Sequence, residues 1–200
     1  MPDLSHSAAL LKAAMRRAVL AQRREAHVAR GPKAAAALAH RITAELPTAG
    51  YCIAGYWPLG DEIDIRPTLV AVKSAGGDVA LPVAARQGQV LIFRNYTPGD
   101  PLDSGPFGTQ HPSARASVVA PDVLLLPLIA FDLTGQRLGY GAGYYDRTVA
   151  ALRIERKILV IGVAYDEQEV AAVPVDGHDQ SMDAVVTDRR TLWFNSAAKP

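Results

Sequence analysis

Val123-Leu124-Leu125-Leu126-Pro127 is followed by Phe131-Asp132-Leu133-Thr134-Gly135-Gln136-Arg137-Leu138-Gly139-Tyr140-Gly141-Ala142-Gly143-Tyr144-Tyr145-Asp146-Arg147, and then by Lys157-Ile158-Leu159-Val160-Ile161-Gly162-Val163-Ala164. The first and last runs have the near-continuous β-branched and leucine character of strands covered on both faces, as in a parallel sheet. Between them a glycine loop leads into a helix that begins near Tyr144, so the stretch reads as a strand-loop-helix-strand unit. Glycines at 139, 141 and 143 remove three side chains where the strand hands over to the helix. Backbone amides there can approach an anion closely, and the helix N-terminus adds a favourable dipole. The spacing is neither that of dinucleotide-binding folds nor that of P-loops. An anion-binding loop and a tight turn needing positive φ both fit the glycines alone; Arg137, Arg147 and the two adjacent tyrosines favour the first.

Working outward, residues 51–57 read as a buried strand, followed by the turn Pro58-Leu59-Gly60-Asp61, a helix over 67–75 and strands over 78–81 and 90–93. Residues 183–187 read as a last, short strand. Upstream, Leu10, Leu11, Ala14, Met15, Ala18 and Val19 recur at helical spacing until Gly31-Pro32, and a second, Ala-rich helix runs on to Leu46-Pro47. Residues 96–112 hold Pro98, Gly99, Pro101, Gly105, Pro106, Gly108 and Pro112, a density of breakers that predicts a long loop without regular structure and a pocket wall or lid. The whole predicts a single three-layer α/β domain over residues 1–200, with a mainly parallel sheet, Rossmann-like in topology, and a ligand site at the C-terminal ends of the strands.

Composition narrows the function classes. The chain has 200 residues, 49% hydrophobic and 20% charged, and its 21 basic against 20 acidic side chains leave a net charge of +1. Neither disorder nor a broad basic field for nucleic acid fits these figures. The apolar runs fall short of the roughly 20 residues that span a bilayer, so no membrane segment is expected. Cys52 is the one cysteine, which excludes an internal disulfide framework and fits a cytoplasmic setting. Residues 4–24 carry Arg16, Arg17, Arg23 and Arg24 without an acid, as a transit peptide does. They are Ser-poor, however, and read as part of the folded domain.

Several residues carry a bland reading beside a functional one. Lys12 and Arg16 lie one helical turn apart, so both heads can reach one spot, or they form a solvated basic face. Glu62 follows a presumed parallel strand, where it suits either an amidine-like ligand edge or a helix start. Asp146 and Asp179 suit Mg²⁺ held together with phosphates, or ordinary helix and turn acids. Tyr56 and Trp57 fit core packing or ring stacking on a ligand.

Taken together these residues resemble the 5-formyltetrahydrofolate cyclo-ligase family, also called methenyltetrahydrofolate synthetase. The match keeps its order through Lys12-Ala13-Ala14-Met15-Arg16, residues 56–62, Leu81-Pro82, Phe107-Gly108 with Pro112, residues 126–132, residues 137–147, Val173-Pro174, His178-Asp179 and Val186-Thr187. Phe-Asp-x-x-Gly-x-Arg-Leu-Gly-Tyr-Gly-x-Gly-Tyr-Tyr-Asp-Arg is its most specific part.

The resemblance implies an ATP-dependent enzyme on a CoA-transferase-like fold, acting as a monomer on small molecules. It implies ATP-phosphate contacts and catalytic charge at Lys12, Arg16 and Arg137, with the ATP loop continuing through Leu138, Gly139, Tyr140, Gly141, Ala142, Gly143, Tyr144 and Tyr145. Folate would meet Trp57, Glu62 and the loop from Tyr140 to Tyr144, and Mg²⁺ would meet Asp146 and Asp179. Two positions depart from the family pattern: His111 stands where many members have Glu, and Ala142 replaces a frequent glycine. His111 carries no predicted role. A different ATP-dependent ligase or kinase on the same scaffold, and a non-catalytic folate- or nucleotide-binding module, stay open beside the cyclo-ligase; an RNA-binding role for the basic first helix is disfavoured by the near-zero charge.

Overall fold

A computed structural model describes residues 4–84 and 88–199, without the side chains of residues 4–9 and 107. The Phe107 side chain, part of the resemblance, therefore lies outside what is described. Helix α1 spans Leu4–Glu45 but leaves helical geometry at Arg30 (φ −153°). Pro32, two residues on, removes a backbone donor and crowds the preceding turn. The two expected helices are thus one rod broken where the sequence places Gly31-Pro32. Strand β1 (Cys52–Ala54), helix α2 (Arg66–Ser74), and strands β2 (Asp78–Val83) and β3 (Ile92–Asn95) follow. After these come β4 (Leu102–Ser104), β5 (Gln110–Pro112), β6 (Val123–Pro127), β7 (Ala130–Phe131), β8 (Arg137–Leu138), helix α3 (Tyr144–Glu155), β9 (Leu159–Ala164), β10 (Ala184–Thr187) and β11 (Thr191–Trp193).

Among the described residues the main sheet has the order β11-β10-β9-β6-β1-β2-β3. Its five inner strands are parallel, and the two edges, β3 and β11, are antiparallel. This is the expected α/β architecture. Strand alternation sorts the core into two layers. Ile53, Val123, Leu125, Ile161, Val163, Ala184 and Val186 face Leu38, Ile42 and Leu46 of α1 and Leu69 and Val72 of α2. Ala54, Leu124, Leu126, Val160 and Val185 face the other way, onto Val149 and Leu152 of α3.

Three expectations need correction. The run 51–57 is strand only over Cys52–Ala54, with one further ladder bond from the Gly55 amide to the Ala80 carbonyl; beyond it the Tyr56 hydroxyl donates to the Ile63 carbonyl. The breaker-rich segment 96–112 contains the antiparallel ribbon β4-β5. Its prolines lie at or outside the strand ends, and Leu102 packs it on the core. Strand β10 is not the last, since β11 adds a half-buried edge. Among the described residues, no helix is long and apolar enough to cross a membrane.

The sheet centre tolerates little change at Gly162, where a Cβ would stand 2.4 Å from the Met182 sulfur and 2.7 Å from Leu128 Cδ2. Gly162→Ala is expected to destabilise by about 1–3 kcal/mol through overpacking. A urea midpoint that falls at unchanged slope is the readout. An unchanged midpoint would show that Met182 and Leu128 yield freely.

Candidate active site

The site forms where the broken helix α1 crosses the C-terminal ends of the parallel strands. Val19, with Met15 and Leu20 beside it, packs on Ile129, Ala130, Leu138 and Val173. This lays the N-terminal half of α1 over the β7-β8 hairpin. Asp132 staples that hairpin: one carboxylate oxygen accepts from the Thr134 amide and hydroxyl and the Gln136 amide, the other from the Val173 amide. Burial alone would raise its pKa, but these hydrogen bonds outweigh burial and hold it below the usual carboxylate range.

Next comes the glycine loop. Gly141 (φ +99°) and Gly143 (φ +67°) occupy left-handed conformations, and Gly143 is the N-cap of α3 without a side-chain cap. The turn reading and the anion reading of this loop are therefore compatible: positive φ shapes it, and an uncapped helix start opens beside it. Arg16 Nε donates to the Gly139 carbonyl at 2.9 Å, and Arg147 Nη2 to the Ala142 carbonyl at 2.8 Å.

A cavity of about 1000 Å³ lies against this loop, and its wall includes Lys12, Arg16, Trp57, Glu62, every residue from Arg137 to Arg147, and the segment 176–180. All the predicted site residues are thus brought to one cavity. Thr109 and Gln110 also line it, so the ribbon that replaces the expected loop does form a pocket wall, while His111 bonds back to the Pro112 carbonyl.

Individual placements refine the expectations. Lys12 and Arg16 share the cavity but not a partner: Lys12 Nζ pairs with Asp176 at 3.0 Å and Asp179 at 2.9 Å, whereas Arg16 braces the loop. Arg137 is buried, bonded to the Gln180 carbonyl and, at 2.6 Å, to Asp146. Burial pulls its pKa down, and the charges of Asp146 and Asp179 oppose that pull. The Leu138 side chain belongs to the core beneath the loop. Glu62 is not a helix-start acid, since α2 begins at Arg66. It is 4% exposed, accepts from the Leu59 amide at 2.8 Å and from the Tyr140 hydroxyl at 2.5 Å, and burial raises its pKa against those two bonds and the charge of Arg23. Trp57 lies under the Arg66 guanidinium, 5.4 Å from the ring centre.

Asp146 and Asp179 are neighbours, because the Gln180 amide donates to Asp146 at 3.1 Å. Among the described residues no three His, Cys, Asp or Glu side chains gather as a metal cage. In each of the two aspartates, all the hydrogen bonds found among the described residues fall on one carboxylate oxygen. Two carboxylates beside a cationic glycine loop fit Mg²⁺, which takes few protein ligands when it is shared with phosphates.

Sequence reasoning missed Asp176 and gave Arg23 no role. Arg23 lies seven residues beyond Arg16, so the spacing alone set both on one helix face. Asp176, in a turn far from Lys12 in the chain, left no such signal.

The model of the 5-formyltetrahydrofolate cyclo-ligase family matches residues 9–188. The chain is 35% identical to the 5-formyltetrahydrofolate cyclo-ligase of Escherichia coli K12 over 148 residues, covering 72% of this chain and 80% of that protein. It is 32% identical over 155 residues to that of Mycolicibacterium smegmatis, covering 74% and 78%. The solved structure of Aquifex aeolicus 5,10-methenyltetrahydrofolate synthetase superposes with a TM-score of 0.76 at 29% identity, covering 93% of this chain and 94% of that one.

Proposed function

Since this chain belongs to the 5-formyltetrahydrofolate cyclo-ligase family, we propose that it closes 5-formyltetrahydrofolate to 5,10-methenyltetrahydrofolate at the expense of ATP. The observation that carries this reading is one cavity whose wall joins a cationic glycine loop to a buried carboxylate. Its volume, at the upper end of the roughly 300–1000 Å³ of ligand pockets, suits two ligands side by side.

The chemistry explains why both halves are needed. Joining the N5 formyl carbon to N10 expels the formyl oxygen, and oxide is a poor leaving group. Transfer of the γ-phosphoryl group from ATP to that oxygen releases ADP and makes the carbon electrophilic; N10 attacks as the free amine, its proton is lost to solvent, and phosphate departs with the oxygen. The protein's task in such a transfer is positioning and charge stabilisation. Lys12, Arg16, Arg137 and the amides of residues 138–145 take the phosphates. Glu62 accepts the amidine-like N–H groups of the pterin, and Trp57 with the 140–144 backbone borders it. Asp146 and Asp179 would hold Mg²⁺, which would offset phosphate charge. One copy of the chain supplies every group named, so a monomer suffices. The single cysteine, Cys52, leaves no internal disulfide to form, which suits a cytoplasmic setting.

The test mixes the purified chain with 5-formyltetrahydrofolate and MgATP and follows the methenyl chromophore together with ADP. Matching amounts of both are expected. Folded protein that binds ATP but yields neither product overturns the reaction, and a panel of other formylated or carboxylated substrates then separates a different ligase from a binding module. Glu62→Gln is expected to weaken folate binding about 10²-fold, as loss of charge-assisted hydrogen bonds implies, with ATP affinity within about threefold. Calorimetry that shows unchanged folate affinity removes Glu62 from the pterin site.

A further inference from the structure

Arg23 is 5% exposed and has no carboxylate partner among the described residues. Its Nη1 donates to the Tyr140 hydroxyl at 2.7 Å, its guanidinium carbon lies 5.8 Å from the Tyr140 ring centre, and its Nε has no hydrogen-bond partner. A buried guanidinium held by one neutral oxygen is costly unless an anion lies close by. That anion is Glu62: the Tyr140 hydroxyl accepts from Arg23 and donates to Glu62 Oε1 at 2.5 Å. Cation, phenol and carboxylate form one line from α1, through the glycine loop, to the turn after β1.

We propose that Arg23 is a positioning residue for the folate site, acting through the Tyr140 hydroxyl to keep Glu62 ionised and to fix the oxygen that the ligand's amidine-type N–H donors engage. The proposal rests on the role given to Glu62 above. Tyr140 occupies Oε1 as a ligand donor would, while the Leu59 amide holds Oε2 from the other side.

The charges around Glu62 set the sign of the effect. Burial raises its pKa; the bonds from Tyr140 and the Leu59 amide, and then the charge of Arg23, lower it. The other groups coupled to it are the phenols of Tyr56 and Tyr145, both pushed up by burial and neutral near pH 7. Loss of Arg23 therefore raises the Glu62 pKa further. Glu62 then takes up its proton at a higher pH, so the acceptor is lost, and folate affinity falls, earlier as the pH is lowered.

The experiment is calorimetric titration of 5-formyltetrahydrofolate into the whole chain from pH 6 to 9, with ATP affinity as the check on folding. Arg23→Met is expected to weaken folate binding about tenfold at pH 7 and to move the acid limb to higher pH, with affinity recovering as the pH is raised. ATP affinity should stay within about threefold. Arg23→Lys, which keeps the charge, should restore most of the affinity. Tyr140→Phe, at a half-exposed residue and hence a mild change to the fold, should move the limb in the same direction by less.

A merely structural role for Arg23 would weaken binding equally at every pH, and that outcome overturns the proposal. So does an unmoved acid limb in both Arg23→Met and Tyr140→Phe. If the wild-type chain does not bind the folate, or Glu62→Gln binds it normally, the reading of Glu62 fails and the proposal with it. Normal wild-type binding, a damaging Glu62→Gln and an unmoved limb in these two variants sink the proposal alone.

Discussion

Arg137→Ala is expected to lower the rate of methenyl formation by about 10³-fold at saturating ATP and folate, a loss of about 4 kcal/mol in the barrier. Two roles converge on this side chain. It lines the cavity beside the glycine loop, where, in the proposed reaction, charge would develop as the phosphoryl group moves. It also ties three segments together, since from β8 its guanidinium reaches Asp146 in the first turn of α3 and the Gln180 carbonyl. With the cation gone, Asp146 keeps only the Gln180 amide and points negative charge at the triphosphate. Arg137→Lys separates the roles, because an ammonium restores charge but not the planar fork that spans two partners. It is expected to recover part of the rate and little of the thermal stability. Single-turnover kinetics beside a melting curve reads both, and a rate within tenfold of wild type in folded Arg137→Ala would leave Arg137 as a strut without a part in phosphoryl transfer.

What the sequence makes legible follows from how local each signal is. Residues 123–127 and 159–164 are strands at the centre of a parallel sheet, buried on both faces, so their composition alone identifies them. The start of α3 at Tyr144 is equally local, because Gly143 ends the loop in a conformation that glycine favours. The ribbon β4-β5 leaves no such trace: it is short and largely exposed, and its pairing is set by contacts with the rest of the fold.

At the site, the glycine loop and its arginines stand out, but the pairs that give it charge balance do not. Glu62 meets Tyr140 across 78 residues of chain, and Lys12 meets Asp176 across 164. Their burial and partners depend on the path of α1 over the β7-β8 hairpin, which helical periodicity does not encode. Arg23 shows the limit well. In the sequence it is one more basic residue on an amphipathic helix; in the fold it is a buried cation facing a buried acid.

Lys12→Met is expected to weaken ATP binding about 10²-fold while folate affinity stays within about threefold. Lys12 stands between Asp176 and Asp179, with its own side chain 15% exposed. Burial alone would lower its pKa, but the hydrogen bonds and charges of Asp179 and Asp176 outweigh burial and raise it. The ammonium therefore stays charged through the neutral range, and the effect of removing it should not vary between pH 6 and 9. Without it, Asp176 and Asp179 face the proposed phosphate site uncompensated, close to Asp146, so a lost attraction and an added repulsion act together on the phosphates.

Arg16 does not substitute for it, since its Nε is held on the Gly139 carbonyl. Asp176→Asn is the informative partner variant. The Asp176 side chain is 60% exposed, so its ion pair contributes little, and removing its charge should leave ATP affinity unchanged or slightly higher. A Lys12→Met chain that binds ATP within threefold of wild type would mean that the ammonium only braces the 176–179 turn, and phosphate binding would then rest on Arg137, Arg16 and the loop amides.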